Sequence, residues 1–163
     1  MDKNSIEIRS MAMEDLDEIL AIETSSFSKP WGRDVFMREL EIPISRNLVA
    51  IVSKARHNEI AGYMTYWVVA GEVQVHKICV REDFRKSGVA SSLMAEMIRL
   101  SDGEGVGLCT LEVGRSNEGA KQLYEKFGFE VTDIRPQYYA ESGDDAMILS
   151  LDLKKCLQFI SKG

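Results

Sequence analysis

The run Arg85 to Ala90, "RKSGVA", puts two cations and a glycine directly before the amphipathic stretch "SSLMAEMIRL". A helix starting there leaves about four backbone N–H groups without intrahelical partners and carries roughly half a positive charge. Arg85 and Lys86 strengthen that field, so its complement is an anion. Gly88 would allow close backbone approach, and the N–H array would bind a phosphate or pyrophosphate. An ordinary loop with Ser87 as the helix N-cap accounts for the same residues. Two further side chains could move protons. Glu112 stands in the apolar run "GVGLCTLEV", where a carboxylate is unusual; an ion pair with Arg115 is its structural explanation. Tyr124 follows Asn117 by seven residues, about two helical turns, so the two share a helix face. Tyr124 also lies on an apolar stripe and reads equally as a core residue.

The elements that must position these groups are legible from periodicity. "IEIRS" reads as a first strand. In "MEDLDEILAIETSSF" the helical spacing is kept by Leu16, Ile19, Leu20 and Glu23, three of them apolar. "SKPWGRDVFMREL" gives a Pro-Trp turn and a second helix. "NLVAIVSK" and "EIAGYMTYWVVAG" read as strands around the turn "ARHNE", and "EVQVHKICV" as the next strand. In that strand Val73 and Val75 share one parity, whereas Ile78 and Val80 share the other. Either a β-bulge or a strand buried on both faces explains the change. Ser87 to Leu100 is predicted helical on the stripe Val89, Leu93, Met97 and Leu100. A second helix, "SNEGAKQLYEKFG", follows the "LCTLEV" strand, with Gly128 suited to its C-terminal cap. "FEVTDIRPQYY" and "DAMILSLDL" form a hairpin. The order predicts a mixed α/β fold: a mostly antiparallel sheet of about six to seven strands flanked by about four helices.

At 163 residues and 45% hydrophobic, the chain reads as one domain, residues 1–153, with 154–163 a tail or short helix. The N-terminal "MDKNSIEIRS" has no apolar segment of the secretory kind, and "AGYMTYWVVAG" is too short to span a bilayer. Membrane insertion is therefore not expected. Cys79, Cys109 and Cys156 are odd in number and fit no metal-ligand spacing. That points to a reducing cytoplasm, without a disulfide framework or a metal. A net charge of −6 argues against direct nucleic-acid binding.

The blocks "HKICVREDFRKSGVASSLM" and "LEVGRSNEGAKQLYEKFGF" resemble the acetyl-CoA-binding core of the GNAT N-acetyltransferase superfamily. With the "PW" turn and the "RPQYY" segment, the resemblance is closest to bacterial ribosomal-protein-alanine N-acetyltransferases of the RimI type. It extends over roughly Ile6 to Leu153. It implies that Ile78, Cys79 and Val80 offer backbone groups to the pantetheine arm of acetyl-CoA. Lys86, Ser87, Gly88, Val89, Ala90 and Ser91, with Arg85 at the edge, would hold the pyrophosphate, and Asn117 would contact the cofactor. Glu112 falls at the position of the general base and Tyr124 at that of the general acid. A hydroxyl of pKa about 10 could protonate a departing thiolate, and a carboxylate could deprotonate an α-ammonium of pKa roughly 8.

Phe27, Trp31, Tyr138 and Tyr139 occupy segments that border the acceptor groove in the resembled family. Each reads equally as packing. Glu141, Asp144 and Asp145 make the last hairpin acidic, which suits a solvated loop or a basic substrate tail. The implied reaction is direct acetyl transfer to a protein N-terminus, chiefly an alanine-starting, basic ribosomal protein. A different N-terminus or a small amine is the alternative acceptor. An acyl-cysteine route through Cys79 or Cys109 would need a histidine, and neither His57 nor His76 has a recognisable partner arrangement. Two features depart from the resembled pattern: Gly114 precedes Arg115 after "LEV", and His76-Lys77 stands where an uncharged residue is usual.

Overall fold

A computed structural model describes residues 5–139 and 143–160 and divides the chain into two compact units. The first comprises Met1–Trp67 and Lys77–Met97, the second Val68–His76 and Ile98–Gly163.

In the first unit, β1 (Ile6–Ser10), α1 (Leu16–Ser26), α2 (Arg33–Glu41), β2 (Ser45–Ser53) and β3 (Asn58–Val69) follow in order. The end of β4 (Glu72–Val80) and the start of α3 (Val89–Gly103) complete it. β1 pairs antiparallel with β2, Ile6 opposite Val52, and β2 antiparallel with β3, Ser45 opposite Trp67. The core gathers Leu16, Ile19 and Ile22 of α1, Phe36 of α2, Val49 and Ile51 of β2, Ile60 and Tyr63 of β3, and Cys79 of β4. Glu23 is buried with the apolar residues of α1, while Leu20 packs half-buried beside them. Burying a ring such as that of Phe36 contributes about 1.5–3 kcal/mol. Ahead of α1, Asp15 accepts the Ala12 N–H at 2.7 Å and both Arg9 nitrogens at 2.8 and 2.7 Å. The Arg9 hydrogen bonds hold the Asp15 carboxyl below its ordinary pKa and tie β1 to the entry of the helix.

The end of β4 is covered on both faces. Cys79 is buried and the Lys77 side chain only 9% exposed, while Ile78 and Val80 on the other parity are half-buried. Where β2 pairs with β3 the register shifts between Ala50 and Ile51: their partners are Gly62 and Ile60, so the extra residue, Ala61, lies on β3. Along α3, Val89, Leu93, Met94, Met97 and Ile98 are buried, a wider stripe than the four residues expected from spacing, and Leu100 is half-buried.

In the second unit the order of strands is β4-β5-β7-β6. β5 (Leu108–Gly114) runs parallel to the start of β4, from Glu72 opposite Leu108 to Val75 opposite Leu111. β7 (Ala146–Asp152) is antiparallel to β5 and to β6 (Glu130–Arg135). β6 is exposed along its whole length, and its register with β7 shifts between Val131 and Asp133. α4 (Glu118–Phe127) begins at Asn117, whose side chain accepts the Ala120 N–H at 3.2 Å. It ends at Gly128, which adopts φ 95°, the left-handed conformation glycine tolerates. α5 (Leu153–Ile160) closes the described chain, a fifth helix where about four were expected. Seven strands in a mostly antiparallel arrangement match the mixed α/β expectation.

Candidate active site

In the first unit the site is a strand that turns into a helix. Gly62 of β3 makes the close packing possible: a Cβ there would meet the Cys79 carbonyl oxygen at 2.7 Å and Val89 Cγ1 at 3.0 Å. The sequence signal was the isolated glycine in "EIAGYMTYWVV", which marks close backbone approach. After β4 the Arg81 N–H donates to the Ala61 carbonyl at 2.8 Å, and the tight turn Glu82–Phe84 buries Phe84 beneath the Arg81 guanidinium, 4.6 Å from the ring centroid. Arg85 Nε donates to the Val80 carbonyl at 3.2 Å, tying the loop to the strand.

Lys86 (φ 62°) and Gly88 (φ 89°) are both left-handed. For lysine that conformation costs roughly 1–2 kcal/mol, so the local packing holds the loop in its turned shape. The Ser92 N–H donates to the Gly88 carbonyl at 3.0 Å, which makes Gly88 the residue preceding α3. Ser87 is therefore not the N-cap: its hydroxyl donates backwards to the Phe84 carbonyl, and the helix starts at Val89 instead of Ser87. A Cβ built on Gly88 would meet no atom within 4 Å. Exposed Arg85 and Lys86, an open face at Gly88 and a helix start at Val89 and Ala90 together fit a diphosphate group.

In the second unit Glu112 is exposed on β5 between buried Leu111 and Val113. Its Oε1 accepts the Tyr139 hydroxyl at 2.9 Å. Burial, then the Glu112 hydrogen bond, pushes the Tyr139 hydroxyl well above its ordinary pKa, so it remains a donor. Tyr138, half exposed, meets Tyr139 edge-on with centroids 5.4 Å apart. The expected Glu112–Arg115 pair is replaced by Arg115–Asp145 at 3.2 Å. Asp144 accepts the Ser116 hydroxyl at 2.6 Å and N–H at 3.2 Å, and Asp145 accepts the Gln137 N–H at 2.9 Å. The acidic residues of this hairpin thus tie it to the entry of α4; Glu141 lies outside the described residues. Gly114 fits the same junction, since a Cβ there would meet Asp144 Oδ2 at 2.8 Å.

Tyr124 is buried on α4, its ring 5.6 Å from that of Phe129. Burial, with a smaller contribution from Cys109, pushes its hydroxyl up to about 12. Asn117 is exposed at the start of the same helix. Burial also pushes the Cys109 thiol up to about 12, so it is not a nucleophile near neutral pH. His57 and His76 are exposed. Trp31, in the first unit, packs on Phe36 and against Lys77. Among the described residues there is no group of three or more His, Cys, Asp or Glu side chains that could hold a metal ion. No described helix is long and apolar enough to cross a membrane.

A mixed sheet with this loop-to-helix turn is the architecture of an acyl-CoA-dependent acetyltransferase, and residues 16–129 match the Acetyltransferase (GNAT) family model. The chain belongs to that family. It is 35% identical over 148 residues to a Bacillus subtilis (strain 168) protein whose name, ribosomal protein bS18-alanine N-acetyltransferase, is given provisionally; the match covers 90% of this chain and 95% of that one. The Escherichia coli (strain K12) ribosomal protein bS18-alanine N-acetyltransferase is 28% identical over 153 residues, 90% of this chain and 97% of its own. The crystal structure of the ribosomal-protein-S18-alanine N-acetyltransferase from Escherichia coli superposes with a TM-score of 0.80 at 28% identity, covering 91% of this chain and 94% of that one.

Proposed function

We propose that this chain acetylates the N-terminal α-amino group of an alanine-starting, basic small-subunit ribosomal protein in the cytoplasm, using acetyl-CoA. The observation that carries the chemistry is Glu112, an exposed carboxylate aimed by the Tyr139 hydroxyl. Near-full-length similarity to ribosomal-protein-alanine acetyltransferases supports the acceptor. Residues 1–153 form the transferase domain in this reading, with 154–163 its C-terminal extension.

Acetyl-CoA, when bound, would supply an acetyl thioester, whose thiolate leaves more readily than the alkoxide of an ordinary ester. The backbone of Ile78, Cys79 and Val80 takes the pantetheine arm. Arg85, Lys86 and the N–H groups from Ser87 to Ser91 around Gly88 take the diphosphate, and Asn117 adds a polar contact. Glu112 removes a proton from the α-ammonium, directly or through water. Trp31, Tyr138 and Tyr139 contact the acceptor, Tyr139 by the ring whose hydroxyl orients Glu112. Tyr124 stays protonated and donates to the departing sulfur. Delivering a proton from a group near 12 to an ordinary thiolate near 8.5 runs uphill by about 3–4 units. The hydroxyl therefore acts first as a hydrogen-bond donor, and the proton passes when the thiolate is itself desolvated.

The Tyr124 pKa fixes the shape of the pH profile. Activity rises from pH 7 towards 9 as the acceptor amine, pKa about 8, loses its proton. It then holds, because a Tyr124 hydroxyl pushed up to about 12 keeps its proton through that range. In Tyr124→Phe, kcat falls while acetyl-CoA affinity stays near wild type, the pattern of an interaction made in the transition state. Thiol release, followed from pH 6 to 10 with an alanine-starting basic peptide, measures both. A Tyr124→Phe enzyme with normal kcat would remove Tyr124 from the reaction, and an alkaline decline centred below pH 9 would mean that its hydroxyl is not held so high during turnover. In the same assay alanine-starting peptides should turn over well above peptides with other first residues and above small amines. Equal turnover of a small amine would move the reading to a small-molecule acceptor.

A further inference from the structure

One charged cluster in the first unit is built like a receptor for an ammonium ion, and no role above uses its ion pair. Glu23 on α1 is fully buried at 0% exposure. Its Oε1 accepts the Tyr63 hydroxyl at 3.0 Å and Lys77 Nζ at 2.6 Å. Its Oε2 also accepts from Lys77 and from the backbone N–H of Trp31 at 3.4 Å. The Lys77 nitrogen lies 4.1 Å from the centroid of Phe27 and 4.2 Å from that of Trp31. Burial above all, then Cys79 and Glu23, pushes the Tyr63 hydroxyl far up, so it donates to the carboxylate. A carboxylate below and two aromatic faces around is how proteins bind alkylammonium ligands. Here the ligand is the chain's own lysine.

A plain core ion pair needs no aromatic walls. Burying such a pair also gains little over an apolar pair of equal volume, so stability alone is a weak reason for it. The cage is not sealed: Phe27 is 37% exposed and the Lys77 side chain 9%. One wall therefore lies at the surface, and the Trp31 wall belongs to the acceptor side in the function proposed above. Lys77 stands immediately before Ile78, so its ammonium is fixed by the same strand that takes the pantetheine arm in that reading.

We propose that Glu23, Tyr63, Phe27 and Trp31 form a cation pocket filled from within by Lys77, and that Lys77 is thereby a specificity-determining residue for the acceptor. With the pocket occupied, a cationic first side chain meets like charge and a carboxylate already committed. A long first side chain meets a filled space. A methyl group, as in alanine, meets neither obstacle. The specificity part rests on the acetyltransferase reading; the pocket itself does not.

Lys77→Ala empties the cage. The chain has two tryptophans, so a Trp67→Phe background leaves Trp31 as the sole fluorescent reporter. Titration with n-butylammonium should give a saturable Trp31 response in Lys77→Ala, none with Lys77 present, and none with 1-butanol. Adding Glu23→Gln should weaken that binding by ~10-fold or more. In acetyl transfer, the kcat/KM ratio of a lysine-starting to an otherwise identical alanine-starting peptide should rise ~10-fold or more in Lys77→Ala. The acetylated nitrogen is assigned by tandem mass spectrometry. If Lys77→Ala melts too low for the titration, the same readout becomes recovery of its Tm by butylammonium and not by butanol. Absence of any butylammonium-specific response overturns the pocket. A clear response with an unchanged peptide ratio overturns the specificity role. A wild-type enzyme inactive on every peptide defeats the acetyltransferase reading instead, and the titration still decides the pocket.

Discussion

Replacing Glu112 by glutamine is expected to lower kcat by ~10²–10⁴ near neutral pH. The amide keeps the shape of the side chain and an oxygen to accept the Tyr139 hydroxyl, which donates to Glu112 at 2.9 Å in the wild type, so the geometry should survive. What is lost is the proton acceptor. Glu112 is exposed on β5 and contributes little to the core, so stability should change by no more than about 0.5 kcal/mol. Part of the rate should return above pH 8, where the acceptor amine of pKa about 8 is already neutral without help. Melting temperature and the pH dependence of thiol release separate the two effects. A Glu112→Gln enzyme with the wild-type kcat and profile would leave Glu112 as nothing more than an anchor for Tyr139.

Gly88→Val is expected to weaken acetyl-CoA binding by at least ~10-fold while the protein still folds. A Cβ at Gly88 enters space where no protein atom lies within 4 Å, so the new side chain would compete with ligand and not with the core. The left-handed φ of 89° adds strain for a β-branched residue, roughly 1–2 kcal/mol, against a typical domain stability of ~5–15 kcal/mol. Strain alone would lower Tm without altering which part of the ligand is felt. The comparison that separates them is S-acetyl-pantetheine, which carries the thioester arm but no diphosphate. Calorimetry should show wild type preferring acetyl-CoA strongly over the fragment, and Gly88→Val nearly losing that preference. Equal weakening of both ligands would mean that the loop does not hold the diphosphate.

What the sequence carried best was local. The helix from Glu118 to Phe127 has its apolar stripe and its Gly128 stop within one continuous segment. The carboxylate that looked unusual in the apolar run of β5 is explained only by the structure, which buries Leu111 and Val113 and leaves Glu112 exposed. What it could not carry was pairing across long separations. Tyr139 reaches Glu112 from 27 positions away, and Lys77 reaches Glu23 from 54. A local partner, Arg115, was the natural expectation for Glu112, but the hairpin brings Asp145 to that arginine instead. Glu23 left a trace, a carboxylate on an otherwise apolar helical stripe, which signals a buried partner without naming it. The start of α3 slipped from Ser87 to Val89 because Lys86 and Gly88 both turn left-handed, and no residue type demands that of a lysine.

The proposed acceptor is the α-nitrogen of an alanine-starting ribosomal protein. Intact-mass and N-terminal peptide mass spectrometry of small-subunit ribosomal proteins, from cells with and without this gene, tests it directly. One alanine-starting protein should carry an acetyl group on its N-terminal nitrogen only when the gene is present, and should lose it again when the Glu112→Gln enzyme replaces the wild type. An unchanged set of ribosomal-protein masses, with acetyl transfer by the purified enzyme confined to small amines or lysine side chains, would contradict it.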